Sequence, residues 1–86
     1  MILHVYGIKD RATNSFSAPM FMVSPGQAMR VFGDEFNRRA DDNIYNKHPE
    51  DYDVYDLGIF STDSGRFSPV DDVVLFVRAS DLIIKE

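Results

Sequence analysis

The sequence lacks several features that would place it in a common functional class. It contains no cysteine, so it can form neither a disulfide nor a thiolate metal site, which fits a reducing cytoplasm. No run approaches the roughly 20 apolar residues that a membrane-spanning helix needs. The start of the chain has no basic region and no cleavage site of a secretory signal. We therefore expect a cytoplasmic protein that does not enter a membrane.

Motifs for catalysis and for phosphate binding are also missing. The five glycines form neither a P-loop nor a Gly-x-Gly-x-x-Gly pattern, and no Gly-x-Ser-x-Gly elbow is present. Asp53 and Asp56 are three residues apart in a predicted strand and so point to opposite faces, unlike two carboxylates that share one active site. The sequence therefore favours a protein that is not an enzyme and that holds no cofactor.

The segment His48-Pro49-Glu50-Asp51 combines imidazole and carboxylate groups, which are common metal ligands and proton carriers. Only two histidines are present, and His48 has no second histidine at helical spacing. We therefore predict no metal site. We interpret the segment as a structured loop in which Glu50 or Asp51 accepts backbone amides, while Pro49 sets the entry angle of the next strand.

Basic residues are scarce, because nine Lys and Arg stand against 14 Asp and Glu, which gives a net charge of −5. Such a chain repels phosphate backbones unless its basic residues cluster on one face. Most of the acids lie between Asp34 and Asp56, whereas Lys9, Arg11 and Arg66 lie at two predicted turns outside that block. The charge is thus polarised along the chain.

The 86 residues are enough for one domain, residues 1–86, with a modest core. Residues 2–8 alternate in the period-two pattern of a strand, and residues 52–60 do so again. Residues 17–23 predict a returning strand. Pro19 cannot donate a ladder hydrogen bond there, so this strand should lie at a sheet edge or be bulged at Pro19.

The segment Ser24-Pro25-Gly26-Gln27 predicts the start of a helix, with Ser24 as its cap and Gln27 completing a capping box. Apolar residues follow at mostly helical spacing: Ala28, Met29, Val31, Phe32, Phe36 and Ala40. This single apolar stripe predicts a helix that packs on a sheet. Gly33 is unfavourable in a helix interior by about 1 kcal/mol, and we interpret it as the mark of a close approach to a strand.

The last third of the chain predicts a turn at residues 62–65 and a return strand that begins at residues 66–68 and ends at Pro69. The apolar run at residues 73–77 predicts a central strand buried on both faces. Residues 81–84 fit either a sixth short strand or a final helical turn. The predicted fold is α+β, with the order β-β-α-β-β-β: an antiparallel sheet of about five strands with one helix packed on it.

Residues 46–60 join a polar, proline-containing loop to a strand pattern, and this run is the most specific of the sequence. It is similar to the signature of the small non-structural protein of gokushoviruses, a microvirus group of tailless phages with single-stranded DNA. Weaker matches occur at Tyr6, Ala18, Pro19, Phe21, Ala28, Arg30, Phe32 and residues 63–67. Residues 38–42 and 79–86 depart from the family pattern. The resemblance implies a protein of the host bacterial cytoplasm with a part in single-stranded genome synthesis or in DNA binding.

The first functional hypothesis is non-catalytic binding of single-stranded DNA. We expect contacts through the predicted turns that carry Lys9, Arg11 and Arg66, with Tyr6 and Phe16 as stacking residues. Base stacking on an exposed aromatic ring contributes about 1–3 kcal/mol, so a few stacked bases can offset a mild overall repulsion.

The alternative hypothesis is an acidic protein-interaction module that modulates a phage or host replication protein, because an acidic surface can engage a basic groove. An edge strand at residues 17–23 would also be available for strand pairing, so a homodimer through a sheet edge belongs to this hypothesis. The candidate contacts are Asp41, Asp42, Glu50 and Asp51.

Overall fold

A computed structural model of the chain describes residues 1–84. Its elements are β1 (Ile2–Asp10), β2 (Ser15–Phe16), β3 (Met20–Met22), α1 (Pro25–Asn37), α2 (Ile44–Lys47), a 3-10 turn (Pro49–Asp51), β4 (Tyr52–Ser61), β5 (Phe67–Arg78) and α3 (Ala79–Leu82). The five strands form one antiparallel sheet in the order β2-β1-β4-β5. The fifth strand, β3, also pairs with β1, at other residues than β2 does. The predicted α+β class and five-stranded sheet are confirmed. Among residues 1–84, no helix has the length and apolarity to cross a membrane.

The strand predicted at residues 17–23 is divided into β2 and β3, which follow each other along one edge of β1. Pro19 lies in the gap, where its missing N–H interrupts no ladder. Ser17 bridges the gap, because its N–H donates to the Ile8 carbonyl over 2.8 Å and its hydroxyl accepts from the Ile8 N–H over 2.9 Å. The prediction of an edge position is confirmed, and the interruption follows from Pro19.

The largest departure from the sequence-based prediction is β5. One strand runs from Phe67 to Arg78 through Pro69, where two strands are predicted. It lies at the edge of the sheet, and Val74 is 56% exposed. The prediction of a central strand buried on both faces at residues 73–77 is therefore wrong. An edge strand also explains why Pro69 is tolerated, since edge strands accommodate a residue without an N–H.

The core lies between α1 and one side of the sheet. The buried residues Ala28, Phe32 and Phe36 of α1 pack against Tyr6 and other residues of the strands. Tyr6 is only 1% exposed, and its ring centroid lies 6.0 Å from that of Phe32. Burial raises the pKa of the Tyr6 hydroxyl, so it stays neutral. We name this side of the sheet the helix face and the other side the open face.

Both ends of α1 are closed by side chains. Ser24 accepts a hydrogen bond from the Gln27 N–H over 3.1 Å, and the Gln27 side chain accepts from the Val23 N–H over 2.8 Å. The predicted Ser24 cap is confirmed, whereas Gln27 bonds the amide of the residue before Ser24 and so forms a variant of the predicted capping box. At the other end of α1, the side-chain amide of the buried Asn43 donates to the carbonyls of Glu35 and Arg38, each over 2.8 Å. Residues 79–82 form the short helix α3, which settles the two alternatives left for the end of the chain in favour of a helical turn.

Gly33 does not mark a close approach to a strand, because a Cβ atom built there meets nothing within 4 Å. Gly33→Ala is therefore expected to raise the free energy of unfolding by about 0.5–1 kcal/mol, since glycine is unfavourable in a helix interior. Urea unfolding followed by circular dichroism measures this change. A loss of stability would mean that the Gly33 position is more crowded than the structure has it.

Candidate nucleic-acid interface

One row of side chains crosses the open face from edge to edge. Phe16 of β2 pairs with Lys9 of β1, and Lys9 pairs with Asp53 of β4. Asp53 in turn pairs with Arg78 of β5. Directly opposite residues of antiparallel strands share a face, and the neighbouring Val54 belongs to the core on the helix face. The four residues Phe16, Lys9, Asp53 and Arg78 therefore lie together on the open face, and we name them the basic row.

Lys9 lies beside two stacked aromatic rings. The ring centroids of Phe16 and Tyr55 are 5.5 Å apart with an interplanar angle of 30°. The Lys9 Nζ atom lies 5.8 Å from the Phe16 centroid and 5.9 Å from the Tyr55 centroid, within the range of a cation–π contact. Phe16 remains 40% exposed. The arrangement offers a positive charge and an accessible ring surface at one point of the face.

A side chain at Gly7 would crowd Leu57 on the open face. Gly7 pairs with Tyr55, and a Cβ atom built on Gly7 would lie 3.0 Å from Leu57 Cδ1, whereas its distance of 3.7 Å from the Phe16 ring is an ordinary contact. Gly7 therefore leaves room for the Leu57 side chain beside the Phe16 ring.

Asp53 is a buried carboxylate within the basic row, with a residue exposure of 3%. Its Oδ2 atom lies 3.5 Å from the Arg11 Nε atom, whereas its Oδ1 atom is buried and has no hydrogen-bond partner. The Arg11 N–H donates to the Asp51 carbonyl over 2.8 Å, which holds the β1–β2 loop in this position. Lys9 and Arg78 flank Asp53 on the neighbouring strands. Arg11 is thus the cation paired with Asp53, and Lys9 and Arg78 add two further basic residues on the neighbouring strands.

Three phenylalanines form a second aromatic group at the other end of the open face. The ring centroids of Phe21, Phe60 and Phe67 lie 4.7–6.0 Å apart, and we name these residues the phenylalanine triad. Phe21 and Phe67 are exposed. Arg66 directly precedes Phe67 at the turn between β4 and β5. Each end of the open face thus combines aromatic rings with at least one basic residue.

The family model described as "Phage ORF5 protein" matches residues 3–82, which include the basic row and every strand except the first residue of β1. The chain belongs to the phage ORF5 protein family. A relative, "Protein ORF5" of Chlamydia phage 1, is 32% identical over 87 residues, which cover 98% of this chain and 91% of the relative. No solved structure matches the chain. The resemblance to a small phage protein of the microvirus type is thereby confirmed.

The predicted DNA-contacting residues of this phage ORF5 family member fall into three groups. Lys9, Arg11 and Phe16 come together at the basic row. Arg66 lies at the opposite end of the open face, since the seven residue steps from Asp53 to Phe60 span roughly 23 Å of strand. Tyr6 is buried on the helix face, so the prediction that it stacks on a base is wrong.

Two residues of this interface, Tyr55 and Arg78, were not among the contacts predicted from the sequence. Tyr55 belongs to the predicted strand at residues 52–60, but nothing local indicates that Phe16 stacks on it. Arg78 follows the apolar run that predicts a central strand, and its place beside Asp53 depends on strand register. Only cross-strand pairing between distant segments brings these residues to the basic row.

The four predicted protein-interaction residues of the ORF5 family member lie outside the sheet. Asp41 and Asp42 belong to the loop after α1, and Asp42 forms an ion pair of 3.4 Å with Arg38. The hydrogen bond from Arg38 to Glu35, more than its contact with Asp42, raises the pKa of the Arg38 guanidinium. These groups form a solvated acidic segment at the end of α1.

Glu50 and Asp51, the other two, lie in the 3-10 turn. The Asp51 N–H donates to the His48 carbonyl over 3.0 Å, and the Glu50 carboxylate lies 3.7 Å from His48 Nδ1. The turn is thus closed by its backbone, and the predicted bonding of backbone amides to these carboxylates is wrong. Ligand atoms of His48, Glu50 and Asp51 lie within 4.8 Å of one another. This spacing could accommodate a cation, but His48 and Glu50 are exposed and lack the buried support of a structural metal site.

Proposed function

We propose that this phage ORF5 family member binds single-stranded DNA across its open face during genome synthesis in the host cytoplasm, and that it acts without catalysis. The observation that carries this proposal is the basic row, where Lys9 lies beside the stacked rings of Phe16 and Tyr55. Stacked aromatic rings with adjacent cations are the combination by which proteins bind single strands without reading their sequence.

The distribution of charge supports the open face over the rest of the surface. Acidic residues of α1 and the following loop belong to the helix side: Asp34, Glu35, Asp41 and Asp42. At the basic row, Lys9, Arg11 and Arg78 outnumber Asp53. A net charge of −5 therefore weakens association at long range, whereas the cations at the basic row supply local attraction for phosphates.

The two ends of the open face suggest the course of the strand. The basic row lies at one end, and the phenylalanine triad with Arg66 lies roughly 23 Å away along β4. A strand that contacts both ends stacks bases on two aromatic groups and places phosphates near two sets of cations. Small single-strand-binding domains occupy about 4–16 nucleotides, and this face fits the lower part of that range.

Fluorescence anisotropy with a labelled oligothymidine of about 12 nucleotides tests the proposal. Affinity should fall with salt by about 0.7 in log K per log unit for each phosphate contacted, so two or three contacts give a slope of about −2. A duplex of equal length should bind more weakly, because its bases cannot leave the stack to meet the rings. Absence of binding at about 20 mM salt would reject the proposal, because phosphate contacts are strongest at low salt.

An abasic oligonucleotide separates the aromatic contribution from the electrostatic one. It keeps the phosphates but offers no bases, so it should retain the salt slope and lose most of the affinity. Equal affinity for the abasic and the normal strand would show that the rings of the open face do not stack on bases.

A second candidate function is the docking of a basic phage or host replication protein. The observation that favours it is the exposure of Asp41, Asp42 and Glu50 on loops outside the sheet, where they leave the open face clear. This function requires complex formation that is lost when the three acids are replaced by their amides. Retention of the complex after these replacements would reject it.

A further inference from the structure

A cavity of about 240 Å³ lies where α2 approaches the β2 edge of the sheet. We name it the tyrosine pocket, and its lining includes Ile8, Asp10, Ser17, Ile44, Tyr45 and Tyr52. Asp10 pairs with Ser15 of β2 and with Tyr52 of β4, and it alternates with Lys9 along β1. Asp10 therefore points to the helix face, opposite to the basic row. The cavity is smaller than the roughly 300–1,000 Å³ of sites for drug-sized ligands, so it suits a single side chain.

Two tyrosine rings form the aromatic wall of the pocket. The ring centroids of Tyr45 and Tyr52 lie 4.8 Å apart with an interplanar angle of 88°. Tyr52 is buried and Tyr45 is half-buried, whereas Ile44 is 52% exposed. The aromatic wall is thus held by the core and is reached from solvent beside Ile44.

The carboxylate of Asp10 is fixed in place at the start of the loop between β1 and β2. Its Oδ1 atom accepts hydrogen bonds from the Ala12 N–H over 2.9 Å and from the Thr13 N–H over 3.4 Å. Both of these bonds end on Oδ1, so the Oδ2 atom takes part in neither. The loop therefore presents a pre-positioned negative charge to the pocket.

Nearby carboxylates also act on the two tyrosine hydroxyls. Burial raises the pKa of Tyr45, and Glu35 and Asp10 raise it further. Burial likewise raises the pKa of Tyr52, with added contributions from Asp10 and Asp51. These charges contribute a negative potential at the pocket, which attracts a cation and repels a phosphate.

We propose that the tyrosine pocket binds an arginine side chain of a basic partner protein, with the guanidinium group against the tyrosine rings and hydrogen-bonded to Asp10. A guanidinium group is planar, stacks on aromatic faces and donates several hydrogen bonds to a carboxylate. The proposal rests on the second candidate function, the docking of a basic protein, and gives that function a defined contact. It is independent of DNA binding, because Asp10 and Tyr52 point to the helix face.

NMR of the ¹⁵N-labelled chain tests the pocket with a blocked Gly-Gly-Arg-Gly-Gly peptide. The peptide should bind in the millimolar range and shift the amide signals of Asp10, Tyr45 and Tyr52, since a single exposed side chain makes few contacts. The same peptide with citrulline in place of arginine has nearly the same shape but no charge. It should bind more weakly by about fivefold or more, because it offers neither an ion pair nor a cation–π contact.

Three variants of the chain localise the contact. Asp10→Asn keeps an Oδ1 acceptor for the loop amides but removes the charge, so it should weaken binding by about two- to fivefold. Tyr45→Leu keeps an apolar side chain but removes the ring, and the same loss is expected, about two- to fivefold. Asp71→Asn removes an exposed carboxylate from β5 at the other edge of the sheet and should leave the affinity unchanged. Circular dichroism verifies the folding of each variant.

Three outcomes would overturn the proposal. The first is equal binding of the arginine and citrulline peptides. The second is an equal effect of Asp10→Asn and Asp71→Asn, which would mean that the peptide senses only net charge. The third is displacement of the peptide by oligothymidine, which would assign the pocket to DNA. A partner complex that is lost on amide replacement of the exposed loop acids but survives Asp10→Asn would reject the pocket alone and leave the docking function in place.

Discussion

Replacing Gly58 by alanine is expected to lower the free energy of unfolding by about 3 kcal/mol or more, enough to unfold a large fraction of so small a domain. Gly58 has a φ of +128°, a conformation that L side chains rarely adopt. A Cβ atom there would overlap the Ser68 carbonyl oxygen and lie 2.8 Å from Pro69 Cα. Both neighbours are backbone, so no side-chain rotation relieves the clash. Strained backbone alone costs about 1–3 kcal/mol.

The reason for a glycine at this point lies in the pairing of β4. Gly58 pairs with Val5, and the next pair along joins Tyr6 to Asp56, so Leu57 is an extra residue. On the side of β5, Asp56 pairs with Val74 and Gly58 pairs with Pro69, so four residues of β5 lie between these two partners. The Gly58 N–H donates a hydrogen bond of 2.9 Å to the Asp56 carboxylate. The strand bends here, and β5 crosses very close to it.

Gly65→Ala is the matched control for Gly58→Ala. Gly65 also has a positive φ, +71°, but a Cβ atom there meets nothing within 4 Å. Its replacement should cost only about 1–2 kcal/mol, the penalty for the left-handed conformation. Urea unfolding of both variants measures the difference. If Gly58→Ala loses no more stability than Gly65→Ala, β5 does not approach β4 this closely in solution.

Local signals predicted the elements that depend on neighbouring residues. The helix start at Ser24 is fixed by a cap and a proline within four residues, and β4 follows from simple alternation. The edge position of β5 could not be predicted in this way. A run of five apolar residues is typical of a buried strand, but strand order decides whether that strand has one neighbour or two.

In the candidate interface, too, residues that are close in sequence could be predicted, whereas residues that meet through strand pairing could not. Lys9, Arg11 and Phe16 were predicted because they surround one turn, and the structure brings them together. Tyr6 was misplaced, since alternation shows which residues of β1 share a face but not which face α1 covers. Arg78 joins the basic row through the register of β5 on β4, which no local pattern of the sequence contains.

Phe16→Ala is expected to weaken binding of single-stranded DNA by about 1–3 kcal/mol, roughly fivefold to more than a hundredfold, with an unchanged salt slope. The ring is 40% exposed, so its loss should not unfold the sheet. Lys9→Ala should act differently, because it removes a phosphate contact. Its affinity should fall most at low salt, and its slope in log K should decrease in magnitude by about 0.7. Anisotropy over a salt series measures both quantities.

Two variants on helices outside the open face complete the test. Met29→Ala removes an equally exposed apolar side chain from α1, and Lys47→Ala removes an exposed positive charge from α2. Each matches one open-face variant in chemistry, so each should leave affinity and salt slope near the wild-type values. If Lys47→Ala reduces the slope as much as Lys9→Ala does, the DNA senses overall charge and has no defined path. If Phe16→Ala and Met29→Ala bind single-stranded DNA with equal affinity, Phe16 does not stack on a base, because removal of a stacked ring lowers the affinity.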